Sequence, residues 1–186
     1  MRRYGWVIDM EDRRHWGPDG AAGLLLVARA DGVDHALLQL RSAWTMSPNV
    51  WGIPGGAVEE NEDPTVAAVR EAEEEAGVKV ADFEVLSSQV TAVVPIKSQV
   101  YRWRTPEGEG FTDEGGRWYI EQINNRHGTW TYTTVIARAS HLLPTVINEE
   151  SVELRWVPLD SVPDLPLLGS FAKAWPRLRA QIDAQG

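Results

Sequence analysis

Three glutamates, Glu71, Glu74 and Glu75, fall within five consecutive positions of this chain, directly after Arg70. At 100° per residue they share an arc of about 100° on a helix. As plain surface this crowd is unfavourable. Glu71 and Glu75 are a like-charged i,i+4 pair, which costs a few tenths of a kcal/mol. Glu74 and Glu75 would also lie in the last helical turn, where the helix dipole repels anions. A hard divalent cation such as Mg²⁺ reverses the sign of both effects, because it binds carboxylate oxygens and keeps waters or phosphates as its other ligands. The alternative is a solvated acidic face. Upstream, Trp51-Gly52-Ile53-Pro54-Gly55-Gly56 reads as a short apolar strand entering a glycine-rich loop. There backbone can approach a ligand closely, and the Gly55 carbonyl is a further hard oxygen donor; the plainer reading of Pro-Gly-Gly is a tight turn.

These residues need a helix to carry them. Asp63-Pro64 makes a good start, since Asp caps and Pro suits the first helical position. Gly77 makes a good stop. The spacing predicts a helix from Pro64 to Ala76, with Val66, Val69, Ala72 and Ala76 on the face that packs against a sheet. The glutamates fall on roughly the opposite side, and Glu73 points elsewhere.

The segment Gly56 to Val78 resembles the Nudix box, Gly-x5-Glu-x7-Arg-Glu-U-x-Glu-Glu-x-Gly-U, with U aliphatic. Gly56, Glu62, Arg70, Glu71, Glu74, Glu75, Gly77 and Val78 all match. Ala72 stands where a larger aliphatic residue is usual. The resemblance implies a Nudix hydrolase, with the α/β/α sandwich and mixed central sheet of that fold. It implies cleavage of a nucleoside diphosphate linked to a group X, with water attacking phosphorus. By the same resemblance, Glu71, Glu74 and Glu75, with the Gly55 carbonyl, hold Mg²⁺ or Mn²⁺. Glu71 is alternatively the base, Arg70 braces the glutamates, and Glu62 ties loop to helix. Members often carry another catalytic or metal-binding Glu in the loop before a late strand containing Trp. In Asn148 to Leu159, Glu150 is the first choice for that role and Glu153 the second.

Three readings of function follow. The first is a metal-dependent pyrophosphohydrolase acting on a nucleoside triphosphate such as an oxidised dNTP. The second is an ADP-ribose or nucleotide-sugar hydrolase. Members of that group often carry a proline about sixteen residues after the box, where this chain has Val94 and then Pro95. The third, from a different class, is a regulatory domain that binds a nucleotide without turnover; such domains usually lose box carboxylates, which this chain keeps.

The rest of the chain sets bounds. Its 186 residues suit one domain with a sizeable core. With no cysteine, disulfides, thiolate nucleophiles and cysteine zinc sites are out. The net charge of −9 argues against a nucleic-acid partner and leaves a small nucleotide open. The longest apolar run, Ala21 to Ala28, is too short to span a bilayer, and the start lacks a signal-peptide core. A cytoplasmic protein is therefore expected, and by resemblance a homodimer.

Pattern and turn signals predict paired strands at Gly23 to Arg29 and Ala36 to Arg41, a short strand at Trp51 to Ile53, one or two strands over Lys79 to Val94, and strands at Trp130 to Arg138 and Leu154 to Val157. Ser170 to Ala184 reads as a terminal helix kinked or restarted near Pro176. Residues 1–20 form an arm before the first core strand. Residues 97–128 read as an insertion, either a long hairpin of Gln99 to Arg104 with Trp118 to Ile123 or a mobile loop, and by resemblance such an insertion covers the substrate or builds a dimer contact. Trp44, Trp51, Trp103 and Trp118 are candidate base-stacking residues, against the plainer reading of packing. His35, His127 and His141 carry no assigned chemistry.

Overall fold

A computed structural model describes residues 3–43, 45, 47–113, 115–125 and 127–185. Trp44 lies outside them. The described residues form eleven strands and two α-helices. In chain order the elements are β1 (Arg3–Asp9), β2 (Arg14–Trp16), β3 (Ala21–Ala30), β4 (Val33–Arg41), β5 (Trp51–Gly52), β6 (Gly55–Ala57), α1 (Pro64–Ala76), β7 (Phe83–Arg104), β8 (Phe111–Thr112), β9 (Trp118–Asn124), β10 (Gly128–Ala139), β11 (Ser151–Pro158) and α2 (Gly169–Ala184).

All the strands join one mixed sheet. Its main path runs β11-β4-β3-β10-β7-β1-β2, and β10 and β3 are its parallel pair along that path. Helix α1 covers one face: Ala67, Ala68, Ala72 and Ala76 pack on Ala22, Leu24 and Leu26 of β3. Helix α2 covers the other, with Phe171, Trp175, Leu178 and Ile182 on Leu25, Val27 and Leu38. Period-two alternation along β3 sends successive side chains to opposite layers. This is the expected α/β/α sandwich.

The paired strands meet as predicted. A tight Asp31-Gly32 turn joins β3 to β4, with both residues in the left-handed region (φ 50° and 80°) that such hairpins require. Strand β3 then divides its partners. Its second half pairs with β4 and its start pairs with β6, Gly23 lying opposite Gly55. The glycine-rich segment is thus itself a short strand, and it leads into α1.

Strand β7 runs for 22 residues and joins the strand expected over Lys79 to Val94 to the first hairpin strand, Gln99 to Arg104. Two expectations change. Helix α2 continues through Pro176, which sits on its exposed side while Phe171, Ala174, Trp175 and Leu178 hold it to the sheet. The buried face of α1 is rotated toward the glutamates: Val66 is 58% exposed, and Ala67, Ala68 and Glu75 are buried in its place. Small alanines allow close approach on that side, so packing overrides the larger Val66. The N-terminal arm extends the sheet, with β1 pairing to β7 and β2 to β1.

The insertion is the predicted hairpin, Gln99 to Arg104 pairing with Tyr119 to Asn124. No helix among the described residues is long and apolar enough to cross a membrane.

Candidate active site

Helix α1 begins and ends on the residues expected. The Asp63 carboxylate accepts the Thr65 N–H at 2.8 Å, and Gly77 adopts φ 70° with its N–H bonded to the Glu73 carbonyl. These caps fix which turn carries Glu71, Glu74 and Glu75. The last turn holds no basic residue, so the negative end of the dipole stays uncompensated by side chains of its own helix.

Arg70 is the hub of the loop–helix junction. Its guanidinium donates to both carboxylate oxygens of Glu62 at 2.9 Å, to the Ala57 carbonyl at 3.0 Å and to Glu71 at 2.6 Å. Glu74 lies 3.8 Å away. Glu62 also accepts the Glu59 N–H at 2.8 Å, so it ties the loop down as well as holding Arg70. The Glu62 hydrogen bond, set against burial, pushes the Arg70 pKa above its ordinary range, with Glu71 adding to the effect. Arg70 therefore stays charged throughout.

Gly56 has a steric reason. A Cβ built there would lie 2.5 Å from the Glu71 Cδ. The Glu71 carboxylate is packed flat against the backbone of β6, a place only glycine leaves open.

Glu75 is the least exposed of the three, at 3%. One carboxylate oxygen accepts the Gly55 N–H at 2.8 Å and the Gln39 side-chain N–H at 3.3 Å. Burial pushes its pKa up to about 9, a hydrogen bond with the Glu150 carboxyl adds to this, and the Gly55 N–H works against it. Burial also raises the Glu71 pKa; Arg70 opposes that, and Glu74 and Glu150 reinforce it. Four carboxyl groups thus lie within electrostatic reach of one another, and Arg70 is too few positive charges for them.

Of the sequence candidates, the structure brings Glu71, Glu74, Glu75 and Glu150 to one side of α1, with Gly55 beside Glu75. Glu153 is elsewhere: both its oxygens pair with Arg155, at 2.7 and 2.9 Å. Trp51 is a core residue, 5% exposed beneath α2. Trp103 and Trp118 sit on the β7/β9 hairpin.

As the side chains stand, no three acidic or imidazole groups among the described residues converge on a single metal-binding point. Glu71 is engaged by Arg70, and Glu75 by Gly55. Yet the donor set suits a hard cation. It is all oxygen, it is crowded enough to raise two pKa values, and Glu74 is open to solvent, at 53% side-chain exposure.

Sequence reading missed several neighbours. A pocket next to Gly55 is lined by Arg41, Thr91, Tyr132, Thr134, Ser170 and Phe171, among others. The Tyr132 hydroxyl sits where a Cβ on Gly23 would fall, 2.1 Å from that position. Burial raises the Tyr132 pKa, and the Glu75 charge raises it further. No residue of the 97–128 insertion lines this pocket among the described residues. Gln39 was detectable: it interrupts the apolar run Ala36-Leu37-Leu38-Gln39-Leu40.

Comparisons with known proteins identify relatives of the chain. The model of the NUDIX domain matches residues 18–178. A protein of Mycobacterium tuberculosis (strain H37Rv), named "Putative 8-oxo-dGTP diphosphatase 3", is 43% identical over 176 residues, covering 94% of this chain and 68% of that one. A Bifidobacterium longum "Nucleoside triphosphate pyrophosphatase/Nudix hydrolase fusion protein" is 36% identical over 185 residues, 31% of its length. The crystal structure of a Nudix hydrolase from M. smegmatis, RenU, superposes with a TM-score of 0.77 at 40% identity, covering 97% of this chain and 95% of that one. With its box intact on α1 and its sheet shared with that structure, this chain belongs to the Nudix hydrolase family.

Proposed function

We propose that this hydrolase is a Mg²⁺-dependent pyrophosphohydrolase of nucleoside triphosphates, with an oxidised dNTP as the first substrate to test. The observation that carries the reading is the place of the Glu150 segment against the end of the box helix: the Glu150 carbonyl accepts the Ser42 N–H at 3.1 Å, and Asn148, two residues before it, donates to the Glu74 carbonyl at 3.3 Å. The name of the 43%-identical relative supports the choice of substrate.

In this reading Glu71, Glu74 and Glu75, with the Gly55 carbonyl, hold the cation, and Mn²⁺ can replace Mg²⁺. The bound metal would lower the pKa of the attacking water and offset charge on the phosphate oxygens. Arg70 orients Glu71 against Gly56. Glu150 and Glu71 are the two candidates to take the proton from water, each near the cluster and each a carboxylate. Arg41, which lines the small pocket beside Gly55, supplies positive charge for a polyphosphate. One domain, a homodimer and a cytoplasmic location complete the proposal; light scattering in solution checks the dimer.

A release assay over dNTPs, oxidised dNTPs, ADP-ribose, NADH, nucleotide sugars and dinucleoside polyphosphates with Mg²⁺ tests the substrate. Preference for an oxidised dNTP supports the reading, and preference for ADP-ribose replaces it. Glu74→Gln and Glu75→Gln should each lower kcat at least about 100-fold. Near-full activity in both would sink the metal assignment.

A further inference from the structure

Gln39 lies on β4, outside the box, and its side chain is 1% exposed. Its neighbours along the strand, Ala36, Leu37, Leu38 and Leu40, are all apolar. Burying an amide in such a run is unfavourable unless its polar atoms find partners. The Gln39 amide nitrogen donates to the Glu75 carboxylate at 3.3 Å and to the Ser151 hydroxyl at 2.8 Å. One side chain thereby joins helix α1 to the residue next to Glu150. Three positions along, the Ser42 N–H donates to the Glu150 carbonyl at 3.1 Å. The end of β4 therefore holds both segments that deliver the distant carboxylates. A β-bulge between Ser151 and Glu153 lies at the same place, where β11 begins its pairing with β4. Such a bulge re-aims the chain beside a site.

Packing alone does not explain an amide here, since leucine would fill the same volume among leucines. Charge explains the orientation: the nitrogen faces Glu75, where an amide oxygen would meet a carboxylate. The Gln39 oxygen has no partner among the described residues although it is buried. The side chain thus bears an unmet acceptor while it keeps both links.

We propose that Gln39 is a positioning residue for the divalent-cation site: through Glu75 and Ser151 it sets the separation of α1 from the Glu150 segment. This rests on the reading of those carboxylates as the metal-holding group. The test is a Mn²⁺ titration of the full chain without nucleotide, following free Mn²⁺ by electron paramagnetic resonance. Gln39→Leu should weaken Mn²⁺ binding about 10-fold or more, the loss typical when a partner behind a ligand is removed. Ser151→Ala should weaken it in the same direction by a smaller factor. Both should keep the far-ultraviolet circular dichroism of the wild type. A structural role alone would lower the melting temperature and leave Mn²⁺ affinity unchanged, and that result in Gln39→Leu overturns the proposal. If Gln39→Leu does not fold, unchanged affinity in Ser151→Ala overturns it. A wild-type chain that binds no Mn²⁺ overturns the underlying metal reading as well, and this is seen before any variant is compared.

Discussion

At the scale of single residues, the box positions divide by the atoms they touch. Arg70 is held by Glu62 and the Ala57 carbonyl and in turn holds Glu71. Glu75 is buried and Glu74 is open to solvent. Gly56 is there for room. Gly56→Ala must displace the Glu71 carboxylate, because that carboxylate lies 2.5 to 2.7 Å from the new methyl position. A displacement of that kind next to the reacting centre costs on the order of 100-fold in kcat/KM. Steady-state kinetics should show this loss while the circular dichroism and melting curve stay close to wild type. A variant within threefold of wild type would mean that the Glu71 position does not matter. Glu73 was legible as a bystander from its angle alone. The burial of Glu75 was not, because it depends on where the sheet sits relative to the helix.

At the scale of elements, the β1/β2 hairpin is organised by one carboxylate. Asp9, 1% exposed, accepts N–H groups of Glu11 and Arg13 at 2.9 Å, the Arg13 side chain at 2.8 Å and His15 at 3.0 Å. Burial alone would raise its pKa, but the His15 and Arg13 hydrogen bonds, with the two backbone N–H groups, outweigh burial and hold it well below the ordinary 3.8. A depressed folded pKa means that the charged form stabilises the fold above about pH 4, and that this contribution fades as pH falls further. Asp9→Asn should therefore lower the urea midpoint at pH 7, and the gap from wild type should narrow between pH 4 and pH 2.5. A gap independent of pH would show that shape, not charge, is what Asp9 supplies. Local signals predicted the α1 caps, the pairing of β3 with β4 and the β7/β9 hairpin. They failed at Val66 and Pro176, where contacts with the sheet outweigh local preference.

At the scale of the whole molecule, the sheet brings three distant segments together. β4 contributes Gln39 and Arg41, β6 and α1 contribute the box, and the entry to β11 contributes Glu150, just before the strand, and Ser151, its first residue. The β7/β9 hairpin is attached to the other end of the sheet, against β1. Replacing residues 106–116 by a short Asn-Gly turn should leave kcat/KM within about threefold, since exposed loop tips tolerate such change. A larger loss, measured on the preferred nucleotide, would return the insertion to the substrate site.

The sequence by itself determined the family, the reaction class and the helix that bears the carboxylates. All of these reside in a run of 23 residues from Gly56 to Val78 whose spacing alone fixes angles on a helix. Tertiary structure alone set the Glu150 segment, and not Glu153, beside the box helix, moved Glu75 from the open face into the core edge, and brought Gln39 to it. Those outcomes depend on strand register and on which helix face meets the sheet. Both are set by contacts between residues far apart in the chain, such as Gln39 and Ser151, 112 positions apart, which no local pattern encodes.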